Sequence, residues 1–360
     1  MNTRLGYACI NTTLNDTQKI CCNKTCRLAT AINKGTESGY PKGSKEYSNA
    51  IYTFLVDYAY KNLFSMYKII SWSRKHGITF YRMSSNMFPH INNPRIQPHL
   101  TTDDWNRYNC LDFGKKLIEQ IGAYCQKYEI RLTMHPGHYN QLGSHSDSVI
   151  HNTFVDLAWQ GRLLEMMSIA ADGYNLYLKQ NNRSTKKNVF DDGTLCIHGG
   201  GTYGDKDAAI LRWKKNYNKL PEYIKKRIAV ENDEKGYSAE DLLPVCQELK
   251  IPMIFDFHHY NCWAHYHEED PYQKPISELL PDILKTWETR DMIPKFHLSD
   301  QAEGKKVGAH HDYVESIPDE LLKIMSSNYR FDIMVEAKKK EKATLKLYRK
   351  YIDHFNQTSK

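Results

Sequence analysis

A closed (β/α)8 barrel of the TIM type, α/β in class and built as a single domain, is predicted by three features of the 360-residue sequence. Short apolar, β-prone runs alternate with helix-length segments of three-to-four periodicity, and eight such runs can be counted. Each run but the last is followed by helix before the next, which calls for parallel strands joined by crossover helices. Run after run also stops on a group able to bind a metal. A parallel barrel opens every strand C-terminus onto one face, so such residues would meet even though they are scattered along the chain.

Taken in order, Arg4-Leu5-Gly6-Tyr7 reads as the first strand, followed by a long polar, cysteine-bearing loop to about Lys45. A helix from Ser48 to Lys75 follows, with Leu55, Ala59, Leu63, Met66 and Ile70 on one face and His76-Gly77 as its stop. Ile78 to Met83 is the second strand, and the Pro/Asn/His-rich loop through Leu100 is too long for a simple connection and is expected to be functional. The Thr101-Thr102-Asp103-Asp104 cap opens a helical region that buries Ile118, Ile121 and Cys125 before the third strand, Arg131 to Met134, which stops at His135 and a Pro-Gly turn. A helix over His151 to Ala171 buries Leu157, Gly161 and Leu164, and residues 174–193, rich in Asn and Lys, read as a surface insertion.

The fourth strand, Thr194 to Ile197, ends in His198 before three glycines, and a helix covers Asp207 to Lys215. Arg227 to Val230 ends in Glu231. Ser238-Ala239-Glu240-Asp241 then resembles a capping box before Leu242, Leu243 and Leu249, with Pro244 expected to kink that helix. Met253 to Phe255 ends in Asp256 and runs into His258-His259, a helix spans Pro275 to Trp287, and Lys295-Phe296-His297-Leu298 carries its histidine internally. A short helix over Asp319 to Met325 precedes the last strand, which ends in Glu336, and a closing helix runs from Lys338 to about Phe355. The barrel domain is placed at 1–345, with a helix end and tail at 346–360.

Charged residues make up 25% and hydrophobic ones 41%, the usage of a soluble globular protein rather than a disordered one. The net charge of +7 favours a polyanionic partner over an acidic small metabolite. Nine cysteines without regular spacing, and no charged start followed by an apolar h-region, point to a reducing intracellular compartment with no secretory signal. Apolar stretches are interrupted by charge, as at Asp57, so no membrane span is expected, and the chain is expected to be a monomer. Cys21, Cys22 and Cys26 lack the second pair that a zinc knuckle needs and read as free thiols.

The chemistry is concentrated in His135, His198, Glu231, Asp256, His259, His297, His310 and Glu336. Imidazoles mixed with carboxylates suit Zn2+ or Mn2+, whereas Ca2+ or Mg2+ would favour oxygen cages. Eight donors are too many for one four-coordinate ion, and two or three ions fit better. Clusters of this kind bridge phosphoryl oxygens, activate water and stabilise both oxygens of a displacement. A purely structural set of capping histidines and core acids is disfavoured because Glu231 and Asp256 each follow an apolar strand, and unpaired buried charge is costly. His258 neighbours His259 and on extended backbone would face away, which leaves its role open. Lys295 shares the inward face with His297; beside cations it must be neutral, modified to a carbamate, or turned to a carboxylate.

Several motifs in order resemble the UV damage endonuclease family: Leu5-Gly6-Tyr7 with Asn11, Met134-His135-Pro136-Gly137 with Tyr139, His198-Gly199-Gly200 before Tyr203-Gly204-Asp205-Lys206, Glu231-Asn232-Asp233-Glu234, Lys295-Phe296-His297-Leu298-Ser299, Gly308-Ala309-His310 and Met334-Val335-Glu336-Ala337-Lys338. The resemblance covers about Arg4 to Lys340 and implies an endonuclease IV-like TIM barrel. It implies a DNA repair enzyme that nicks double-stranded DNA immediately 5′ of a UV photoproduct, leaving a 3′-hydroxyl and a 5′-phosphate, with a manganese-type cluster. By that resemblance the eight donors are the ligands, Lys295 stands where a lysine can be carboxylated, and Tyr7 and Asn11 lie near the scissile and lesion nucleotides. Glu231, Lys295 and Tyr7 would carry catalysis, and His138 and Tyr139 would probe the lesion. His138 replaces a usual glutamine, and Asn93-Pro94 replaces a usual His-Pro pair, with His90 and His99 as candidate substitutes. The competing readings are an apurinic-site endonuclease, a sugar isomerase on the same barrel with fewer metals, and a damage-binding protein that needs no complete ligand set.

Overall fold

The computed structural model describes residues 3–327 and 329–356. Strands β1 (Thr3–Ala8), β2 (Phe80–Met83), β3 (Arg131–Met134), β4 (Leu195–His198), β5 (Ile228–Glu231), β6 (Met253–Asp256), β7 (Lys295–Leu298) and β8 (Phe331–Val335) form one closed parallel barrel in sequence order. The ring closes where Thr3 to Gly6 pair with Phe331 to Met334. This is the single-domain (β/α)8 architecture, and it gathers all strand C-termini at one rim.

Helices α1 (Thr12–Gln18) and α2 (Leu28–Glu37) occupy the segment expected to be loop. They bury few side chains, Leu14 in the first and Ala31 and Gly35 in the second, which is why no apolar period marks them. Helix α3 (Lys45–Lys75) buries Leu55, Leu63, Met66 and Ile70 against the barrel. Ser44 accepts the Tyr47 N–H at 3.2 Å to start it, and Gly77 at φ +80 turns the chain away after it. Helices α4 (Thr102–Asn109), α5 (Lys115–Tyr128) and α6 (Asp147–Gln180) follow, and α6 runs well past the expected end at Ala171.

The expected surface insertion at 174–193 is therefore corrected. Its first part continues α6 with Leu178 turned inward and Leu176, Tyr177, Lys179 and Gln180 exposed, and only residues 181–187 form a fully exposed loop. The return is anchored: Asn188 Nδ2 donates to Ser168 O at 3.0 Å and to Asp172 Oδ1 at 2.8 Å, and Phe190 is fully buried.

Helices α7 (Lys206–Asn218), α8 (Glu222–Lys225) and α9 (Ala239–Leu249) complete the middle of the chain. The α9 start is a full capping box between Ser238 and Asp241, and Pro244 lies inside the helix on its exposed side without ending it. Helices α10 (Phe257–Tyr266), α11 (Ile276–Glu288), α12 (Asp319–Ser326), α13 (Lys340–Lys350) and α14 (Ile352–Asn356) finish the fold. The closing helix is thus broken at Tyr351. Leu347 and Phe355 are nonetheless buried in the main core, so residues 346–356 belong to the outer layer rather than to a tail. The rest of the expected tail, 357–360, lies outside the described residues.

Side chains alternate along the strands, and the inward set is charged at both ends of the barrel. At the floor, Arg4 Nε and Nη2 donate to the two oxygens of Asp332 at 2.7 and 2.6 Å, while Arg131 Nη1 donates to the same carboxylate at 2.7 Å. Phe80, Ala8 and Met334 form an apolar layer above it.

Candidate metal centre

The hub of the mouth is Glu231, 1% exposed at the end of β5. Its Oε1 lies 2.6 Å from His297 Nδ1, and its Oε2 lies 3.1 Å from His135 Nε2 and 2.8 Å from Cys196 Sγ. His198 Nε2 approaches the same oxygen at 3.9 Å, and His259 Nε2 reaches Oε1 at 4.0 Å. Asp256 ends β6 and also caps α10, its Oδ1 accepting the His259 N–H at 2.8 Å. That cap is the reason His258 and His259 sit on a helix rather than on the extended backbone expected. It turns His259 toward Glu231 and toward Glu234, whose Oε2 is 2.7 Å from His259 Nδ1, whereas His258 is buried beside Cys262 and His310.

Glu336 follows β8, and its Oε1 is 3.2 Å from His297 Nδ1 while also accepting from Arg82. His310 is more exposed, with Nδ1 2.6 Å from Ser299 Oγ and Nε2 4.0 Å from Glu336 Oε2. Lys295 is fully buried on the inner face of β7, and its Nζ has no hydrogen-bond partner. These side chains surround a cavity of about 880 Å³ lined by His135, His138, His198, Glu231, His259, His310 and Glu336.

The electrostatics differ among the histidines. Burial would lower His259, but Asp256, Glu234 and Glu231 outweigh it and raise it to about 11, so an ion would have to displace its proton, whereas two others are already neutral. Burial holds His198 down to about 3 and His297 down to about 4, so both present neutral rings with a lone pair. Burial would raise Glu231, but its close approach to the His297 and His198 rings and the hydrogen bonds from His135 and His297 outweigh it and hold the carboxyl well below its ordinary range. Burial raises Asp256 to about 7, and it lowers Lys295 to about 8.

The donor set fits divalent ions. Among the described residues two three-donor groups have ligand atoms within 4.8 Å of one another, His135 with Cys196 and Glu231, and Glu231 with Asp256 and His259. Both contain Glu231. His198 Nδ1, His297 Nε2 and Asp256 Oδ2 are buried without partners, as atoms awaiting an ion would be. His198, His297, His310 and Glu336 belong to neither group.

Two expected site residues are elsewhere. On β1 the inward positions are those of Arg4, Gly6 and Ala8, so Tyr7 points outward under α3, fully buried, with its hydroxyl 2.6 Å from Ser73 Oγ and 2.9 Å from Asn11 Nδ2. Asn11 is equally buried and caps α1. Neither faces the cavity. His90 and His99 do not replace the missing histidine at Asn93 either: His90 Nε2 is held at Cys26 O and His99 Nδ1 at the Tyr47 hydroxyl, each at 3.0 Å. At the rim, the His138 ring lies 5.0 Å from that of His198, and Tyr139, 60% exposed, covers Gly137, where an added Cβ would come within 2.4 Å of its ring.

Sequence reasoning missed Arg82, Cys196 and Glu234. The first two lie on inward positions of β2 and β4, and period-two counting from His198 would have found Cys196. Gln141 was also missed: it donates to His138 O at 2.8 Å and accepts the Gly201 N–H at 2.5 Å, tying the β3 and β4 loops together.

The chain is 36% identical over 352 residues to a protein of Acanthamoeba polyphaga mimivirus, covering 97% of this chain and 92% of that one. It is 32% identical over 354 residues to the UV-damage endonuclease of Schizosaccharomyces pombe, where 97% of this chain spans 50% of the yeast protein. The crystal structure of SacUVDE superposes with a TM-score of 0.71 at 25% identity, covering 98% of each chain. No helix among the described residues is long and apolar enough to cross a membrane. Residues 3–360 match the UV-endonuclease UvdE family, and the chain belongs to that family.

Proposed function

We propose that the chain is a metal-dependent DNA repair endonuclease that hydrolyses the phosphodiester bond immediately 5′ of UV photoproducts in double-stranded DNA, leaving a 3′-hydroxyl and a 5′-phosphate. Pyrimidine dimers and 6-4 products are the primary substrates and abasic sites a further one. The observation that carries the reading is the sharing of buried Glu231 between two three-donor groups at the barrel mouth of a UvdE-family chain. Two or three divalent ions, Mn2+ by preference and Zn2+ as the alternative, would be held by His135, His198, Glu231, Asp256, His259, His297, His310 and Glu336. Bound there, they would supply Lewis-acid stabilisation of the phosphoryl group and activate water.

The chain's own residues do the rest. Glu231 keeps adjacent donor groups in register, and neutral His198 and His297 offer lone pairs rather than protons. Lys295 lies beneath them as a buried amine that tunes the site's charge. Arg82 adds a fixed cation at the cavity wall beside Glu336, where a phosphate can be oriented. His138 and Tyr139 stand at the rim, where a poorly stacked lesion can be met. The net charge of +7 suits a DNA backbone, and the enzyme acts as a monomer.

The test is incision of end-labelled duplexes carrying one pyrimidine dimer, one 6-4 product or one abasic site, with Mn2+ and with a chelator. Cleavage 5′ of the dimers that is lost with chelator is expected. Failure of the metal-loaded protein to incise either photoproduct would overturn the reading, and incision at abasic sites alone would favour an apurinic-site endonuclease.

A further inference from the structure

Cys196 is fully buried on the inner face of β4, two residues before His198. Its Sγ lies 2.8 Å from Glu231 Oε2, which in turn lies 3.1 Å from His135 Nε2. The ligand atoms of these three residues are all within 4.8 Å of one another, and no other cysteine joins a three-donor group among the described residues. Such spacing encloses one small cation, since zinc-to-sulfur and zinc-to-nitrogen bonds are about 2.3 and about 2.0 Å.

A second observation comes from the opposite wall. Lys295 Nζ is buried without a hydrogen-bond partner; burial acts most strongly against its charge, Cys196 and Glu231 favour that charge, and Arg131 and Arg82 oppose it. A neutral thiol offers an amine little. A metal-bound thiolate would place a strong acceptor charge beside it.

We propose that Cys196 supplies a thiolate ligand, together with His135 and Glu231, to a borderline-soft divalent ion of the zinc and cobalt class at the inner end of the centre. The proposal rests on the reading of the mouth as a metal centre. The group of Glu231, Asp256 and His259 offers only oxygen and nitrogen, so the two positions differ in softness: the inner one selects Zn2+ or Co2+ over Mn2+, and the outer one accepts Mn2+. The thiol donates a hydrogen bond to Glu231; on cation binding the S–H bond would be replaced by a sulfur-to-metal bond, the proton would leave to bulk water, and the carboxylate would be free to coordinate.

The full chain would be loaded with Co2+, its bound cobalt measured by elemental analysis, and its near-ultraviolet spectrum recorded. A sulfur-to-cobalt charge-transfer band is expected in the wild type and in Cys246→Ser, with complete loss in Cys196→Ser. Cobalt-edge X-ray absorption on the wild type should find a sulfur scatterer at about 2.3 Å, a measurement that does not depend on any variant folding. Bound cobalt with only nitrogen and oxygen neighbours, or a band that survives Cys196→Ser, would overturn the thiolate ligand while leaving the metal centre intact. No bound cobalt would overturn both.

Discussion

The barrel interior carries buried charge at its floor and at its mouth, and the two ends treat it in opposite ways. At the floor both oxygens of Asp332 accept guanidinium hydrogen bonds, and Arg131 also donates from Nε to Asp192 O at 2.8 Å. At the mouth Asp256 Oδ2, His198 Nδ1, His297 Nε2 and Lys295 Nζ are buried and have no partner. Burial is similar, but partnering is not: at the floor the carboxylate is fully used and only Arg131 Nη2 is left without a partner. A charge cluster closed on itself serves the fold, whereas one left open at a cavity is held ready for something that the chain does not itself supply. Substitutions at the two ends should therefore separate activity from stability.

The largest effect is expected at the open end. Glu231→Gln keeps size and hydrogen-bonding reach but removes the charge shared by two donor groups, and incision should fall at least a thousandfold, roughly 4 kcal/mol of transition-state stabilisation. DNA affinity and the melting temperature should stay close to wild type. A loss of less than tenfold in single-turnover incision would erase the contrast between the ends.

At the closed end the outcome should reverse. Asp332→Asn leaves the buried guanidinium groups of Arg4 and Arg131 without a counter-charge, and a broken buried pair of this sort costs about 3–5 kcal/mol. Urea denaturation should show that loss, while metal content and the incision rate of the folded fraction at low temperature are unchanged. Reduced metal binding in this variant would mean the two ends are coupled through the barrel.

Acid sharpens the same point. Burial would raise the Asp332 carboxyl, but Arg4 and Arg131 outweigh it and hold it below its ordinary 3.8. A folded value below the unfolded one adds stability that is present above about pH 4 and drains away as pH falls through the folded value. Unfolding free energies measured from about pH 6 down to about pH 3 should therefore fall more steeply in wild type than in Asp332→Asn. Parallel curves would remove Asp332 as the source of the slope.

How much of this could be read from residues follows from what each property depends on. The barrel was legible because strand and helix periods differ and alternate regularly, and seven of the eight candidate donors could be singled out because they stand in or just after a strand, His310 being the exception. Helices α1 and α2 were not, having too few buried positions to write a period, and the end of α6 looked like an insertion because past Ala171 only Leu178 is buried and an Asn- and Lys-rich loop follows directly. Tyr7 was misplaced for a different reason. The motif that contains it matches a family, but which face of β1 a side chain takes depends on counting from Arg4 and Asp332, a pairing across 328 residues. Cys196 stood in reach of period-two counting from His198, but what it does there was not legible, since its partner Glu231 comes from the next strand.

At the rim the effect should be smaller and confined to selectivity. Tyr139 is exposed beside the cavity, and stacking of a base on an aromatic ring contributes about 1–3 kcal/mol. Tyr139→Ala should reduce the preference for dimer-containing over undamaged duplex about tenfold, close to 1.4 kcal/mol, with metal content intact. An unchanged preference would shift damage recognition to His138, since Tyr7 and Asn11 are out of reach.

Tyr7→Phe should produce the smallest change in incision, and it decides whether the outer layer of β1 takes part in the chemistry at all. Ser73 Oγ donates to Ile69 O at 2.8 Å, so the Tyr7 hydroxyl must be the donor in its 2.6 Å bond to Ser73, while Asn11 Nδ2 donates to the same hydroxyl at 2.9 Å. Removing the oxygen leaves one buried acceptor and one buried donor short of a partner, a cost of about 1–3 kcal/mol for each. Burial raises this phenol well above its ordinary range, which also makes it a poor proton donor or acceptor for a reaction near neutral pH. The variant should melt earlier and incise damaged duplex at the wild-type rate with unchanged damage preference. A tenfold loss of incision at unchanged stability would show instead that β1 presents Tyr7 to DNA, and the division between a reactive mouth and a purely structural outer layer would fail at that strand.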